Sequence, residues 1–259
     1  MWSRKELKDK AKAVLKEIYW SAFGISIVLA LVGGNHNWGG SGGGGSSYRT
    51  SKDSIYLNIN NNNNNNNIIN WGLISFGLTV LILIIVLRIF IGYCLEVGGR
   101  RYFVQSAQYR DNKKCFSFGF DGQNYMKIVQ TMLLTKVSIF LWSLLLIIPG
   151  IIKSYAYRMV PYILADNPNI GVREAITLSN EMTSGHKFDM FVLDLSFIGW
   201  YFLGSLALGV GVLFVMPYEN ATNAELYLVL RKDALKNNLC TYKDLLLTQP
   251  AFGDNDGIY

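Results

Sequence analysis

The sequence predicts an all-α polytopic transmembrane bundle of about six spans arranged as three helical hairpins, with amphipathic helices at the membrane interface. Three observations carry that prediction. Hydrophobic residues make up 51% of the chain and charged residues only 16%, where a soluble domain carries about 25% charged. The apolar residues run in unbroken blocks such as 78–87, while a soluble core would scatter them along one face of each element. Glycine and proline interrupt the blocks at Pro149-Gly150 and at Gly209-Val210-Gly211, where the chain can reverse. This composition excludes a secreted disulfide scaffold, a soluble Rossmann or barrel enzyme and a nucleic-acid-binding module.

The N-terminal helix opens the argument for the individual elements. Leu7, Ala11, Val14, Leu15 and Ile18 share one stripe, with Lys5, Lys8, Lys12 and Lys16 around the rest, the pattern of a helix lying in the lipid interface. The first span, near 14–32, extends a short apolar run from Trp20. A cleavable signal is not expected, since the basic region is long and 30–34 makes a poor cleavage site. Residues 33–70 hold a glycine-rich stretch and an asparagine run at 60–67, too polar to bury a core, and are expected to form a flexible extracytoplasmic loop. The glycines do not cradle phosphate, because no Gly-Lys-Ser/Thr follows them.

The second span is expected near 71–95, where 25 residues give about 37 Å of helix. The third runs over 128–148. Pro149-Gly150 then breaks the helix and starts a shorter fourth segment at 151–166. A fifth span covers 188–208 and a sixth 213–231, the last interrupted by Pro217. Residues 1–232 thus form one membrane domain and 233–259 a cytoplasmic tail. Residues 172–184 read as an amphipathic helix on the cytoplasmic surface, with Val172, Ala175, Ile176 and Ser179 on one face.

Charge placement sets the orientation. Six Lys or Arg fall in 1–19, six in 96–127, two in 166–187 and four in 231–259, against only Arg49 and Lys52 in the long loop. By the positive-inside rule both termini are cytoplasmic, in a multi-pass protein of the cell membrane. The basic excess of +6 lies between apolar blocks, so the expected partner is the lipid bilayer and no nucleic acid.

The hairpins carry an internal repeat. LLLIIPGIIKSYAYRMVPY and LALGVGVLFVMPY each set an apolar helix, a glycine break and a Pro-Tyr pair in order, and GGRRYFV at 98–104 sets against NAELYLV at 223–229. WSRKELKDKAK followed by Tyr-Trp, GGRRYF, FLWSLLLIIPGIIKSYAYRMVPYILADNP, EAITLSNEM, and FDMFVLDLSFIGWYFLG through NATNAELY together resemble a bacterial integral-membrane family, domain of unknown function 975. The resemblance extends over most of 1–231, with the glycine-rich and asparagine loop as a departure. It implies a polytopic membrane protein and supplies no reaction and no catalytic residue.

Ionisable groups within spans are costly and therefore candidates for function. Lys136 of the third span and Asp194 of the fifth are expected to pair. Glu219, Asn220, Asn223 and Glu225 form the densest polar group and are expected to point into the bundle, toward Lys153 and Arg158 of the fourth segment. This set of eight reads either as interhelical glue or as the lining of a polar cavity. Arg88 is explained by snorkelling, and Glu96, Arg100 and Arg101 by a solvated ion-pair cluster among the headgroups.

No catalytic residue, metal or cofactor is expected. Cys94, Cys115 and Cys240 form no CxxC pair and His36 and His186 lie at no ligand spacing from them. Glu174, Glu181 and His186 make no HExxH, and a serine nucleophile elbow is missing. The expected role is that of a non-enzymatic accessory or membrane-organising protein, with a protein partner or a homo-oligomer as company. The alternative is a transporter or export component for a small polar or amphiphilic solute, suggested by the broken helices.

Overall fold

The computed structural model describes residues 2–33, 63–206 and 210–248. Ten α-helices occur among them: α1 (Arg4–Leu31), α2 (Asn63–Leu87), α3 (Tyr93–Ala107), α4 (Cys115–Phe118), α5 (Gly122–Leu145), α6 (Ile147–Ala156), α7 (Val160–Asp166), α8 (Val172–Met182), α9 (Lys187–Leu206) and α10 (Val210–Lys236), with a π-helical turn over Arg88–Gly92. No strand is present among the described residues. Among the described residues four helical stretches are long and apolar enough to cross a membrane: Arg4–Leu31, Leu73–Ala107, Gly122–Leu145 and Lys187–Leu206. The chain divides into two units, 1–36 with 89–259, and 37–88.

In the smaller unit the described part is α2, which over 73–87 is apolar on nearly every side and exposed, with Leu73, Phe76, Leu81 and Leu83 each more than half exposed. A helix without a polar face is what hydrocarbon, rather than water, tolerates. The helix begins at Asn63, so the end of the asparagine run is helical and not part of a loop reaching to 70. Once the apolar run from Ile68 holds a helix, extending it backward adds one hydrogen bond per residue without a new nucleation step. The loop expected over 33–70 otherwise lies outside the described residues, as do Arg49, Lys52 and His36. Arg88 opens the π-helical turn.

The larger unit is built on α10 and α3. Helix α10 is buried on nearly all sides, with Ala224, Leu226, Tyr227 and Leu230 at 1% exposure or less. Its apolar and polar residues are therefore mixed around the axis instead of sorted to one face. Helix α1 is a single helix through Trp20 and lies along α10. It reaches from α9, where Lys8 Nζ donates to Ser196 Oγ at 2.7 Å, to α3, where Leu29 fills the space a side chain at Gly99 would occupy. The stripe Leu7, Ala11, Val14 and Leu15 is buried in this core. The expectation of an interfacial helix over 1–19 is corrected on that point, because the apolar stripe meets protein.

The first reversal differs from the sequence reading in place. Leu146, extended at φ −159° and ψ 143°, separates α5 from α6, and Pro149-Gly150 falls inside the first turn of α6. Proline is tolerated there, because the first turn has no intrahelical acceptor for its missing N–H. Gly150 is instead a contact residue: a Cβ on it would come within 2.3 Å of Ser143 Oγ. At the α9–α10 reversal Gly211 lies inside α10 and packs on the backbone of Gly204, while 207–209 lie outside the described residues.

The fourth segment starts at Ile147, not 151, and is split into α6 and α7 by the turn at 157–159. Helix α8 secures that break. Ser179 Oγ accepts from Met159 N at 3.2 Å and donates to Ala156 O at 2.8 Å, and Thr183 Oγ1 donates to the same carbonyl at 3.3 Å. The face of α8 read as surface-lying is thus partly buried, with Ala175, Leu178, Ser179 and Met182 against the core. Ser179→Ala leaves the Met159 amide buried without an acceptor, at a cost of about 1–3 kcal/mol. Thr183→Val costs less, since Ala156 O keeps its shorter bond. Thermal unfolding in detergent checks the order of the two, and equal losses would contradict it.

The tail assigned to 233–259 is not detached at its start. Helix α10 runs to Lys236, and Leu245 is fully buried; 249–259 lie outside the described residues.

Candidate functional site: a buried polar network

The polar residues of α10 face α3, α6–α7 and α9, and their partners are side chains. Arg158, at the break after α6, is 2% exposed and holds Asp194 of α9 with two bonds of 2.8 Å each. Its Nη2 also donates to Asn223 Oδ1 at 2.9 Å, and Tyr155 Oη donates to Asp194 Oδ2 at 2.9 Å. The parallel two-bond geometry is the strongest form of an arginine–carboxylate contact. About one turn past the break, Tyr162 of α7 stacks on Tyr227 of α10 with ring centroids 5.3 Å apart. Tyr227 Oη donates to Asp166 Oδ2 at 2.6 Å, and Arg231 Nη1 donates to the same oxygen at 2.8 Å.

A second centre forms around Arg100 of α3. Its Nη1 donates to Asn220 Oδ1 at 2.7 Å and to Tyr162 Oη at 3.2 Å. Asn220 passes the connection on, its Nδ2 donating to Ser26 Oγ of α1 at 3.0 Å. Glu219, 3% exposed, accepts from Tyr201 Oη of α9. Each bond in this chain crosses from one helix to another. Five helices, α1, α3, α7, α9 and α10, are thereby fixed in register by groups that would be expensive to leave unmatched in an apolar surrounding.

Of the eight residues expected to gather, Arg158, Asp194, Glu219, Asn220 and Asn223 take part in this network. Glu225 is 6% exposed and turns toward Lys10 and Glu6 of α1. Lys153 points away from the carboxylates, its Nζ 5.3 Å from the ring centre of Trp142 and 5.4 Å from that of Tyr157. Lys136 does not meet Asp194. It lies 3.7 Å from Glu96 Oε1 of α3, because α5 packs on α3 while Asp194 is already taken by Arg158. Glu96 and Arg100 are 1% exposed and have different partners, so the solvated headgroup cluster is corrected to two buried interhelical contacts. Arg101, the third member, donates to Ala165 O and lies over the Phe118 ring.

Sequence reading missed Ser26, Tyr162, Asp166, Tyr201, Tyr227 and Arg231. The signal for Asp166 and Arg231 was an acid and a base at the ends of two segments read as spans. For the tyrosines there was none, since an aromatic hydroxyl in a span reads equally well as an interface anchor.

The comparisons with known proteins bear on this arrangement. Residues 144–234 match the model of DUF975, a protein family of unknown function. The DUF975 stretch contains Arg158, Asp194, Glu219, Asn220 and Asn223, so the Arg158 centre lies wholly within it, while Ser26, Glu96, Arg100 and Lys136 lie outside. No curated protein and no solved structure matches the chain.

Apart from the network, a cleft of about 740 Å³ lies between α8, which is within the DUF975 stretch, and the segment after α10, which is beyond it, with Arg173, Glu181, Cys240 and Lys243 among its lining. Burial pushes the Cys240 thiol up to about 11, which keeps it protonated near neutral pH and unsuited to nucleophilic work. Among the described residues no group of three or more His, Cys, Asp or Glu side chains is placed to hold a metal.

Proposed function

We propose that the chain is a multi-pass membrane protein of accessory or membrane-organising type, non-enzymatic, in which the buried polar residues hold helices together. The observation that carries this reading is the Arg158 centre. Its guanidinium is occupied by Asp194 and Asn223 and the carboxylate by Arg158 and Tyr155, the satisfied state of a structural joint. The exposed apolar surface of α2 supports a lipid surrounding, and further packing partners, whether another protein or a second copy, would meet the bundle through such faces.

Six spans remain the topological reading. Helix α6 alone is about 15 Å long, but 147–166 together give about 30 Å, enough to cross. Helix α10 is about 40 Å long and carries its polar groups inward. With α1, the α2–α3 stretch, α5 and α9 we read these as six spans in three hairpins, and the basic flanks support a cytoplasmic side of the cell membrane for both termini. The transporter reading rests on one observation, the helix break at 157–159 beside the polar centre, since broken helices line binding sites in transporters.

Native mass spectrometry of the protein released gently from its own membrane separates the two. The accessory role predicts bulk lipid, or a protein at fixed stoichiometry. A small polar solute that leaves with the wild-type chain and is lost in Asn223→Leu overturns it in favour of transport.

A further inference from the structure

In the larger unit α1, α5 and α9 are long and apolar enough to cross a membrane, yet the height over which each exposes an apolar surface is short. On α5 the exposed side chains up to Gln130 are polar apart from Met126, and over 134–145 they are apolar, Val137, Phe140 and Leu141 among them. Lys136, within that run, is turned to Glu96. On α9 the exposed apolar run is 195–206, with Ile198, Trp200 and Phe202. The exposed hydroxyl in each run is bonded to its own helix, Ser143 Oγ donating to Ile139 O and Ser205 Oγ to Phe202 O. On α1 the exposed Lys16 and Glu17 precede 18–31, which holds no charge. The three runs are about 18, 18 and 21 Å tall, where the hydrocarbon of a bilayer is about 30 Å thick.

Side-chain contacts bound these runs at both ends. Lys8 of α1 donates to Ser196 Oγ at 2.7 Å and lies 4.4 Å from the Phe197 ring centre, and Lys12 lies 5.8 Å from that of Tyr218 in α10. The charged face of α1, with its exposed pairs Lys10–Glu6 and Lys12–Asp9, thus stands beside the start of the α9 run, and hydrocarbon does not extend past it. Phe188, about two turns earlier, is left on the wet side, as single apolar side chains often are. At the opposite end 144–148 are apolar and exposed, so no long polar side chain there reaches toward distant headgroups. The nearest cation is Lys153, which has no carboxylate at ion-pair distance among the described residues and lies beside Trp142. A lysine with an indole marks headgroup depth.

We propose that the bundle holds around itself a bilayer whose hydrocarbon is about 10 Å thinner than usual, and that it selects phospholipids with short acyl chains. An apolar run shorter than the hydrocarbon is accommodated by thinning the bilayer, and short chains fill the reduced height without being compressed. The inference rests on the six-span reading above, in which both reversals reach the far surface. It gives the membrane-organising role a physical content, since a thinned zone favours neighbours with the same mismatch.

The test uses the full chain in phosphatidylcholine vesicles. Binding of dimyristoleoyl, dioleoyl and dierucoyl lipid is read from their competition with brominated dioleoyl lipid, which quenches the exposed Trp142 and Trp200. Wild type is expected to prefer the dimyristoleoyl over the dioleoyl lipid by about threefold. Lys127→Leu with Gln130→Leu extends the α5 run back to Met126, to about 30 Å, at the loss of one exposed bond to Asn169, and is expected to roughly halve that preference. Lys113→Leu with Asn237→Leu makes the same chemical change away from the runs and is expected to leave it unchanged. Equal binding of the lipids, a preference for longer chains, or an equal shift in both variants would each overturn the thinning. A nitroxide at Leu146→Cys, against a background of three buried native cysteines, tests the underlying reading separately by its accessibility to oxygen and to a polar relaxant in dioleoyl vesicles. Headgroup depth is expected; a label at the bilayer centre would mean that α5 and α6 turn inside the membrane, and would overturn the six spans and the thinning together.

Discussion

Asp194→Leu is expected to destabilise the protein by about 3–5 kcal/mol, the cost of leaving a buried charge without its partner. The stranded group is Arg158, whose side chain is 2% exposed and which would keep only the neutral Asn223 as an acceptor. Arg158→Met is expected to cost less, because Asp194 is 15% exposed, keeps the Tyr155 hydroxyl and can reach solvent. Removing both charges together, Arg158→Met with Asp194→Leu, should recover most of the loss, since a well-packed apolar pair often replaces a buried ion pair at little cost. Unfolding of the four chains in detergent gives the coupling energy of the pair directly. A double variant no more stable than Asp194→Leu would show that the network depends on the charges themselves, and would weaken the structural account in favour of a polar path.

Gly211→Ala is the second large effect, with an expected loss of about 3 kcal/mol, the upper part of the overpacking range. A Cβ at Gly211 would come within 2.6 Å of Gly204 Cα and 2.8 Å of Gly204 O. Both are backbone atoms, so no side chain can swing aside and α9 and α10 must separate. Moving them apart also pulls Tyr201 from Glu219, which coupled the same two helices. By contrast, Gly24→Ala is expected to be nearly neutral or mildly stabilising: no atom lies within 4 Å of the added methyl, and alanine is the better helix former. Thermal unfolding of the two variants side by side reads the difference, and similar behaviour would mean that the helices do not meet at Gly204 and Gly211.

The same glycine separates what was legible in the sequence from what was not. Gly211 reads as a chain reversal from its neighbours, but it lies inside α10 and its tight contact is with Gly204, seven positions earlier, on α9. Pro149-Gly150 repeats the lesson: the dipeptide marks the reversal to within a few residues, while the extended residue is Leu146 and the proline is in the first helical turn.

Composition and block length by themselves determined that the chain is helical, where its long apolar helices run, and that Glu219, Asn220 and Asn223 turn inward, because the cost of exposing polar groups to hydrocarbon depends only on residue type and helical period. Partner choice was decided by the tertiary structure alone. Lys136 and Asp194 carry opposite charges at similar apparent depths, yet each is bound to a different residue, because α5 packs on α3 and α9 lies beside the break after α6. A carboxylate and a cation can be matched by sign from the sequence, but the pairing falls off within a few ångströms, and only the packing of helices far apart in the chain fixes which side chains come that close.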